Sequence, residues 1–107
     1  MMTKLLDKVN ILSVMEYNEA AKNYGRLFNS MHEGFAVLME EVEEAAQDMI
    51  RLEDSRMEAL WCAVKTDSHR QAEIAAAGVE KLALHLACEA IQVAAMARKM
   101  LKTIEPK

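Results

Sequence analysis

Carboxylates at helical spacing form the first feature of this sequence that could do chemistry. Residues 40–44 read EEVEE. At about 100° per residue, Glu44 lies about 40° from Glu40, and Glu41 lies about 100° from it, so the three share one arc of a helix. Asp48 falls between Glu44 and Glu41 on that arc. The opposite side is apolar and carries Leu38, Val42, Ala45 and Met49. Such a pattern is most often the solvated face of an amphipathic helix.

A single carboxylate, Glu89, is the second feature. It lies in the stretch LACEAIQVAAMARKM, residues 86–100, which is apolar almost throughout up to residue 97. The residues within about 40° of Glu89 on a helical wheel are apolar; they are Leu82, Val93, Met96 and Met100. An isolated buried carboxylate destabilises a fold by several kcal/mol, so Glu89 needs a stabilising partner.

The sequence leaves the partner of Glu89 open. A lysine or arginine of another helix could pair with it, or a protonated Glu89 could donate a hydrogen bond. Alternatively, Glu89 faces the arc of Glu40, Glu41 and Glu44 across a helical bundle. Four carboxylates at one place repel each other, and a hard divalent cation converts that repulsion into binding. Oxygen ligands without a Cys/His set favour Mg²⁺ or Mn²⁺ over zinc.

Helices must position these residues, and the composition predicts an all-α fold. The 107 residues include 3 glycines and 1 proline, and helix-forming residue types fill most of the chain. We predict three long helices, over residues 3–24, from residue 30 to at least residue 51 or as far as residue 65, and over residues 70–101. Helices of roughly 30 residues would reach about 45 Å and leave one side of a three-helix bundle uncovered. We therefore predict a single domain over residues 1–107, an antiparallel helical bundle completed as a homodimer or homotetramer.

Local signals mark the predicted helix boundaries. Gly25 ends the first helix or allows a turn. Ser30, followed three residues later by Glu33, resembles a capping box. Residues 53–55 form a weak point where the second helix could bend or break, and residues 65–68 form a polar turn before the third helix.

Charge and hydropathy argue against several function classes. The net charge of -4 and the lack of a basic face argue against binding to a nucleic acid polymer. No apolar run reaches the roughly 18 residues that span a membrane, and the charged first ten residues do not resemble a secretion signal. We predict Cys62 and Cys88 to be small buried side chains in a reducing compartment, and we expect a cytoplasmic protein.

Two segments resemble a known family. Residues 40–44 match an EExxE motif, residues 28–45 read FNSMHEGFAVLMEEVEEA, and residues 89–97 read EAIQVAAMA. These segments resemble the two motif helices of the small branch of the MazG-like, all-α nucleoside triphosphate pyrophosphohydrolases. The resemblance covers about a quarter of the chain.

The resemblance implies an activity and roles for residues. The family hydrolyses an NTP or dNTP between its α- and β-phosphates and releases a monophosphate and pyrophosphate, with Mg²⁺ or Mn²⁺. Glu40, Glu41 and Glu44 would then bind metal, with Glu41 and Glu44 also as candidates to hold the catalytic water. Glu89 would be the metal ligand from the second motif. Gln92 stands where the family has an aspartate, and its amide oxygen can bind a hard cation without contributing charge.

The remaining candidates concern the substrate, and two other functions compete. Lys99 is a candidate phosphate contact or a cation that favours the helix C-terminus. His32 could contact the nucleotide, or have a capping or packing role. Trp61 could stack on a base, although its helical spacing is more typical of a core residue. A nucleotide- or metal-binding protein without turnover, and a plain helical oligomerisation module, are the alternatives to an enzyme.

Overall fold

The computed structural model describes residues 2–105 and is an all-α helical bundle. Its helices are α1, Met2–Tyr24; α2, Met31–Arg51; α3, Met57–Lys65; and α4, His69–Ile104; a π-helical segment, Leu52–Arg56, joins α2 to α3. The described residues contain no β-strand. The predicted fold class is confirmed, whereas completion of the bundle by oligomerisation stays a prediction.

The turn between α1 and α2 follows from its local sequence. Gly25 has a φ of 88°, a left-handed conformation that favours glycine, and its N–H donates to the carbonyl of Ala21 at 3.0 Å. The Ser30 hydroxyl accepts a hydrogen bond from the Glu33 N–H at 3.1 Å. The Glu33 carboxylate in turn accepts one from the Asn29 N–H at 3.2 Å. The Ser30 half of the predicted capping box is confirmed, whereas the Glu33 carboxylate bonds to Asn29 and not to the Ser30 N–H.

The predicted weak point at residues 53–55 does not break the helix. The backbone changes hydrogen-bond register over Leu52–Arg56, so that the Met57 N–H donates to the carbonyl of Leu52, five residues earlier. The chain leaves the helix only after Lys65. The Ser68 hydroxyl accepts from the Gln71 N–H at 3.3 Å at the start of α4, which continues through Gly78 without interruption.

The described chain divides into two compact units, and both α2 and α4 contribute to each. Unit 1 comprises residues 2–42 and 89–105, and unit 2 comprises residues 43–88. The prediction of one domain over residues 1–107 stays a prediction.

In unit 1, α2 approaches α4 closely at Gly34. Gly34 is buried, and a Cβ atom there would lie 2.5 Å from Met100 Sδ and 2.8 Å from Phe28 Cδ2. The absence of a side chain at this position therefore allows the two helices to pack as they do. The same helices carry Glu41 and Gln92, which face a common cavity of this unit.

The buried face of α2 differs from the face expected from its apolar residues. Gly34, Glu41 and Asp48 are spaced seven residues apart, so they follow one line along the helix, about 20° apart at each step. Gly34 and Asp48 are buried and Glu41 is half-buried. Val42 and Met49, on the expected apolar face, are 41% and 51% exposed. One edge of the acidic arc thus faces the interior of its unit.

Three further expectations about burial were wrong. Cys62 and Cys88 are both exposed, and Trp61, expected in the core, is 55% exposed. Lys65 lies one turn after Trp61, with its Nζ 5.6 Å from the centre of the indole ring. Apolar neighbours along a helix did not predict burial, because many large apolar side chains of this chain lie on its surface. None of the helices in residues 2–105 is long and apolar enough to cross a membrane.

Candidate active site

Two adjoining cavities of unit 1 contain most of the polar groups of interest. The first, the carboxylate cavity, has a volume of about 200 Å³ and is lined by Glu16, Ala20, Tyr24, Glu41, Gln92 and Met96. The second, the lysine cavity, has a volume of about 370 Å³ and is lined by Ala20, Tyr24, Phe28, Glu33, Val37, Met96 and Lys99. Because Ala20, Tyr24 and Met96 line both cavities, the two adjoin each other.

The carboxylate cavity brings together predicted residues from both motif helices. Glu41 comes from α2 and Gln92 from α4, and α1 adds Glu16. Glu41 and Glu89 are both half-buried, and the Oε2 atom of each is removed from solvent. Burial of a carboxylate oxygen has to be compensated by a hydrogen bond, an ion pair or a cation. The geometry therefore places two predicted ligands at one cavity and keeps oxygen atoms of Glu41 and Glu89 out of water.

Lys99 is positioned by contacts at the end of α4. It is 6% exposed, and its Nζ lies 4.6 Å from the centre of the Phe28 ring. The Thr103 hydroxyl donates to the Lys99 carbonyl at 2.8 Å and accepts from the Phe28 N–H at 3.0 Å. These two hydrogen bonds hold Phe28 beside Lys99. The aromatic face offsets part of the cost of burying the ammonium group, which also lines the lysine cavity.

Four of the predicted site residues line neither cavity: Glu89, which is half-buried, and three exposed residues. Glu40 and Glu44 are exposed on α2, and Glu44 belongs to unit 2. His32 is exposed in the first turn of α2 and lines neither cavity. The physical reason is angular, since Glu41 takes the inward edge of the acidic arc and Glu40 lies about 100° away from it. Their roles as ligands or substrate contacts stay predictions.

Sequence reasoning did not select Glu16, Tyr24 or Phe28. In α1 the buried residues are Ser13 and Tyr17, so its inner face is partly polar. The Tyr17 hydroxyl donates to the Arg26 carbonyl at 3.0 Å. The spacing of Ser13, Tyr17, Ala20 and Tyr24 places these four residues on one face of α1. This spacing could have predicted the inner face, but the four residues are not uniformly apolar and so were not recognised as buried.

Unit 2 has its own buried carboxylate, Asp48, which is 3% exposed. One of its oxygens, Oδ2, lies 2.6 Å from His85 Nδ1, and the other, Oδ1, accepts from Arg51 Nη1 at 2.8 Å. Asp48 and His85 each carry an atom that could bind a metal ion. The sequence placed Asp48 on the acidic arc but selected neither Asp48 nor His85 as a ligand.

Comparisons of the chain with protein-family models, with curated proteins and with solved structures found no match.

Proposed function

We propose that the chain is a Mg²⁺-dependent, MazG-like nucleoside triphosphate pyrophosphohydrolase that converts an NTP or dNTP into the monophosphate and pyrophosphate. One observation carries the proposal: Glu41 and Gln92, from the two motif segments, line the same cavity. A helix with a merely solvated acidic face would not direct Glu41 inward. We place the reaction in the cytoplasm, where such an enzyme would clear the nucleotide pool.

Glu41, Glu89 and Gln92 are the proposed metal ligands, and Glu16 is a further candidate from α1. Carboxylate and amide oxygens are the donors that Mg²⁺ and Mn²⁺ prefer. The bound ion would neutralise phosphate charge and lower the pKa of a water molecule. Glu41 would orient that water for attack on the α-phosphorus, and pyrophosphate would leave as the bond to the bridging oxygen breaks.

The lysine cavity would take another part of the substrate. Its volume of about 370 Å³ falls within the range of about 300–1,000 Å³ that is usual for ligand pockets. The Lys99 ammonium can donate hydrogen bonds to phosphate oxygens. Tyr24 offers an aromatic face for a base. This arrangement supports Lys99 as a substrate contact more than it supports His32, which is exposed outside both cavities.

Two other functions remain as alternatives, each with its own support. Gln92 supplies no charge where an aspartate is expected, which favours a nucleotide- or metal-binding protein without turnover. The exposed apolar side chains favour a helical oligomerisation module; on α1 they include Leu5, Leu12 and Met15, which are 53%, 47% and 59% exposed. Self-association as a homodimer or homotetramer is part of the enzyme proposal as well, because these surfaces need cover.

A pyrophosphate-release assay tests the enzyme proposal. The protein is incubated with a panel of NTPs and dNTPs plus Mg²⁺ or Mn²⁺. We expect Glu41→Gln and Glu89→Gln to abolish release, while Glu43→Gln, at an exposed position of the same glutamate run, keeps it. We expect Gln92→Asp to increase release, because it adds a charged ligand. No release with any nucleotide would refute the enzyme proposal.

A thermal titration separates the two alternatives. A ligand present at a hundred times its Kd stabilises the folded state by about 2.7 kcal/mol. A binder without turnover is therefore stabilised by Mn²⁺, and Glu41→Gln weakens that effect. If Mn²⁺ stabilises neither the parent nor Glu41→Gln, only the oligomerisation module remains.

A further inference from the structure

A cavity of unit 2 lies along one face of α4 and has a volume of about 450 Å³. It is lined by Arg56, Gly78, Lys81, Leu82, Leu84, His85 and Cys88. None of the carboxylates proposed as metal ligands belongs to this set. The cavity is therefore a feature that the proposed pyrophosphohydrolase activity does not use.

Positive charge concentrates at this cavity although the chain is acidic. Arg56 and Lys81 bring two basic side chains to the cavity, and His85 adds a third nitrogen-bearing side chain. None of the seven described residues that line this cavity has a carboxylate side chain. The chain as a whole has a net charge of -4, so composition alone does not account for this grouping. The Asp48 carboxylate lies 2.6 Å from His85 Nδ1, so the attraction of this cavity for an anion comes from Arg56 and Lys81.

The cationic side chains are positioned by their surroundings. Arg56 closes the π-helical segment, and its side chain passes along α4 at Gly78, where a Cβ atom would lie 3.5 Å from Arg56 Cδ. His85 is held through its Nδ1 by the buried Asp48. A hydrogen bond to Nδ1 fixes the orientation of an imidazole ring. These contacts restrict the freedom of Arg56 and His85 before any ligand arrives.

The remaining lining is apolar. Leu82 and Leu84 supply hydrocarbon surface, with Leu84 64% exposed. Leu82 is half-buried. A simple inorganic anion would leave this surface in water, whereas a ligand with a hydrocarbon body would cover it. The combination requires a ligand that carries both an anionic group and an apolar body.

We propose that this cavity of unit 2 binds a small organic carboxylate with an apolar body. Its carboxylate pairs with Arg56 and Lys81, with His85 as a further donor, and its hydrocarbon part lies against Leu82 and Leu84. The cavity volume suits a small molecule. The proposal is independent of the nucleotide chemistry, because it uses other residues.

Two cysteines provide a reporter and its control within the same unit. Cys88 lines the cavity, whereas Cys62 lies on α3 and does not, and both are exposed. Alkylation by iodoacetamide, followed for each cysteine by peptide mass spectrometry, measures access to each thiol. The full chain is treated with octanoate at about ten times the Kd measured by calorimetry, and the rate at Cys88 should fall about tenfold because the free site is depleted in proportion. The rate at Cys62 should not change.

Matched ligands and variants complete the test. Octanol lacks the charge and acetate lacks the hydrocarbon body, so each should protect Cys88 much less than octanoate. Arg56→Met and Lys81→Met should each weaken octanoate binding about tenfold, because each removes a charge-assisted contact. Arg70→Met, at an exposed residue outside the cavity, should bind octanoate as the parent does. Circular dichroism confirms that each variant is folded.

Several results would overturn the proposal. Absence of calorimetric binding, equal slowing at Cys62 and Cys88, or protection by octanol equal to that by octanoate would each do so. Acetate or inorganic phosphate protecting as well as octanoate would reduce the cavity to a site for any anion. Unchanged binding in the combined Arg56→Met, Lys81→Met variant would remove the assigned carboxylate contacts.

Discussion

Replacement of Gly34 by alanine tests the close packing of α2 against α4 in unit 1. Two effects of opposite sign compete. Alanine is favoured over glycine in a helix interior by about 0.5–1 kcal/mol. The added Cβ would lie 2.5 Å from Met100 Sδ and 2.8 Å from Phe28 Cδ2, and overpacking of a filled interior costs about 1–3 kcal/mol.

At Gly34 we expect the cost of overpacking to exceed the gain from the helix preference of alanine. Phe28 has little room to yield, because it is 7% exposed and its N–H is bonded to Thr103. We expect Gly34→Ala to lower the free energy of unfolding by about 1–2 kcal/mol. For a domain of this size, about 1 kcal/mol corresponds to a shift of about 4–8 °C in Tm. Thermal unfolding followed by circular dichroism measures the shift.

The matched control is Gly78→Ala, also in a helix. A Cβ at Gly78 would lie 3.5 Å from Arg56 Cδ, an ordinary contact. This variant should therefore gain the helix preference of about 0.5–1 kcal/mol and raise Tm. Met100→Ala should cost less stability in the Gly34→Ala background than in the parent, because it makes room for the new methyl group. A Gly34→Ala variant as stable as Gly78→Ala would refute the close approach of the two helices.

Three more predictions concern single side chains. Tyr17→Phe should cost about 0.5–1.5 kcal/mol in urea unfolding through loss of the hydrogen bond to Arg26; unchanged stability would argue against that bond. Lys99→Met should raise KM for the nucleotide about tenfold through loss of a phosphate contact. Its free energy of unfolding should stay within about 1 kcal/mol of the parent value, since Met keeps the packing against Phe28. Asp48→Ala should lower the free energy of unfolding by about 1–3 kcal/mol, because it removes a buried carboxylate that has two partners. A more stable variant would show that the cost of burying this charge exceeds the stabilisation by its two partners.

Short-range chemistry determined much of the secondary structure. The hydroxyl of Ser30 and the carboxylate of Glu33 act within one turn, and Gly25 adopts its left-handed conformation locally. Such interactions involve residues close in sequence, so their spacing predicts them. The bend expected at residues 53–55 was located correctly as an irregularity, but it became a π-helical segment and not a break.

The candidate site was predicted only in part. The sequence predicted that Glu89 would face the arc of Glu40, Glu41 and Glu44, whereas in the structure Glu41 and Gln92 line one cavity that Glu89 does not line. The contribution of Glu16 from α1 and the exposure of Glu40 were not predicted. A helical wheel gives the angles among residues of one helix but does not give the rotation of that helix against its neighbours.

By itself, the sequence determined the all-α class, the helix caps and the angular grouping of the carboxylates, because these depend on residue type and short spacing. Only tertiary packing decided which edge of α2 is buried. Gly34 admits α4 at close range, and that approach turns the side of α2 bearing Glu41 toward the interior of unit 1. The apolar side bearing Val42 is left partly in solvent. Glycine has no side chain, so it does not change the hydrophobic periodicity of its helix. The close contact that it allows is therefore apparent only in the packed structure of the two helices.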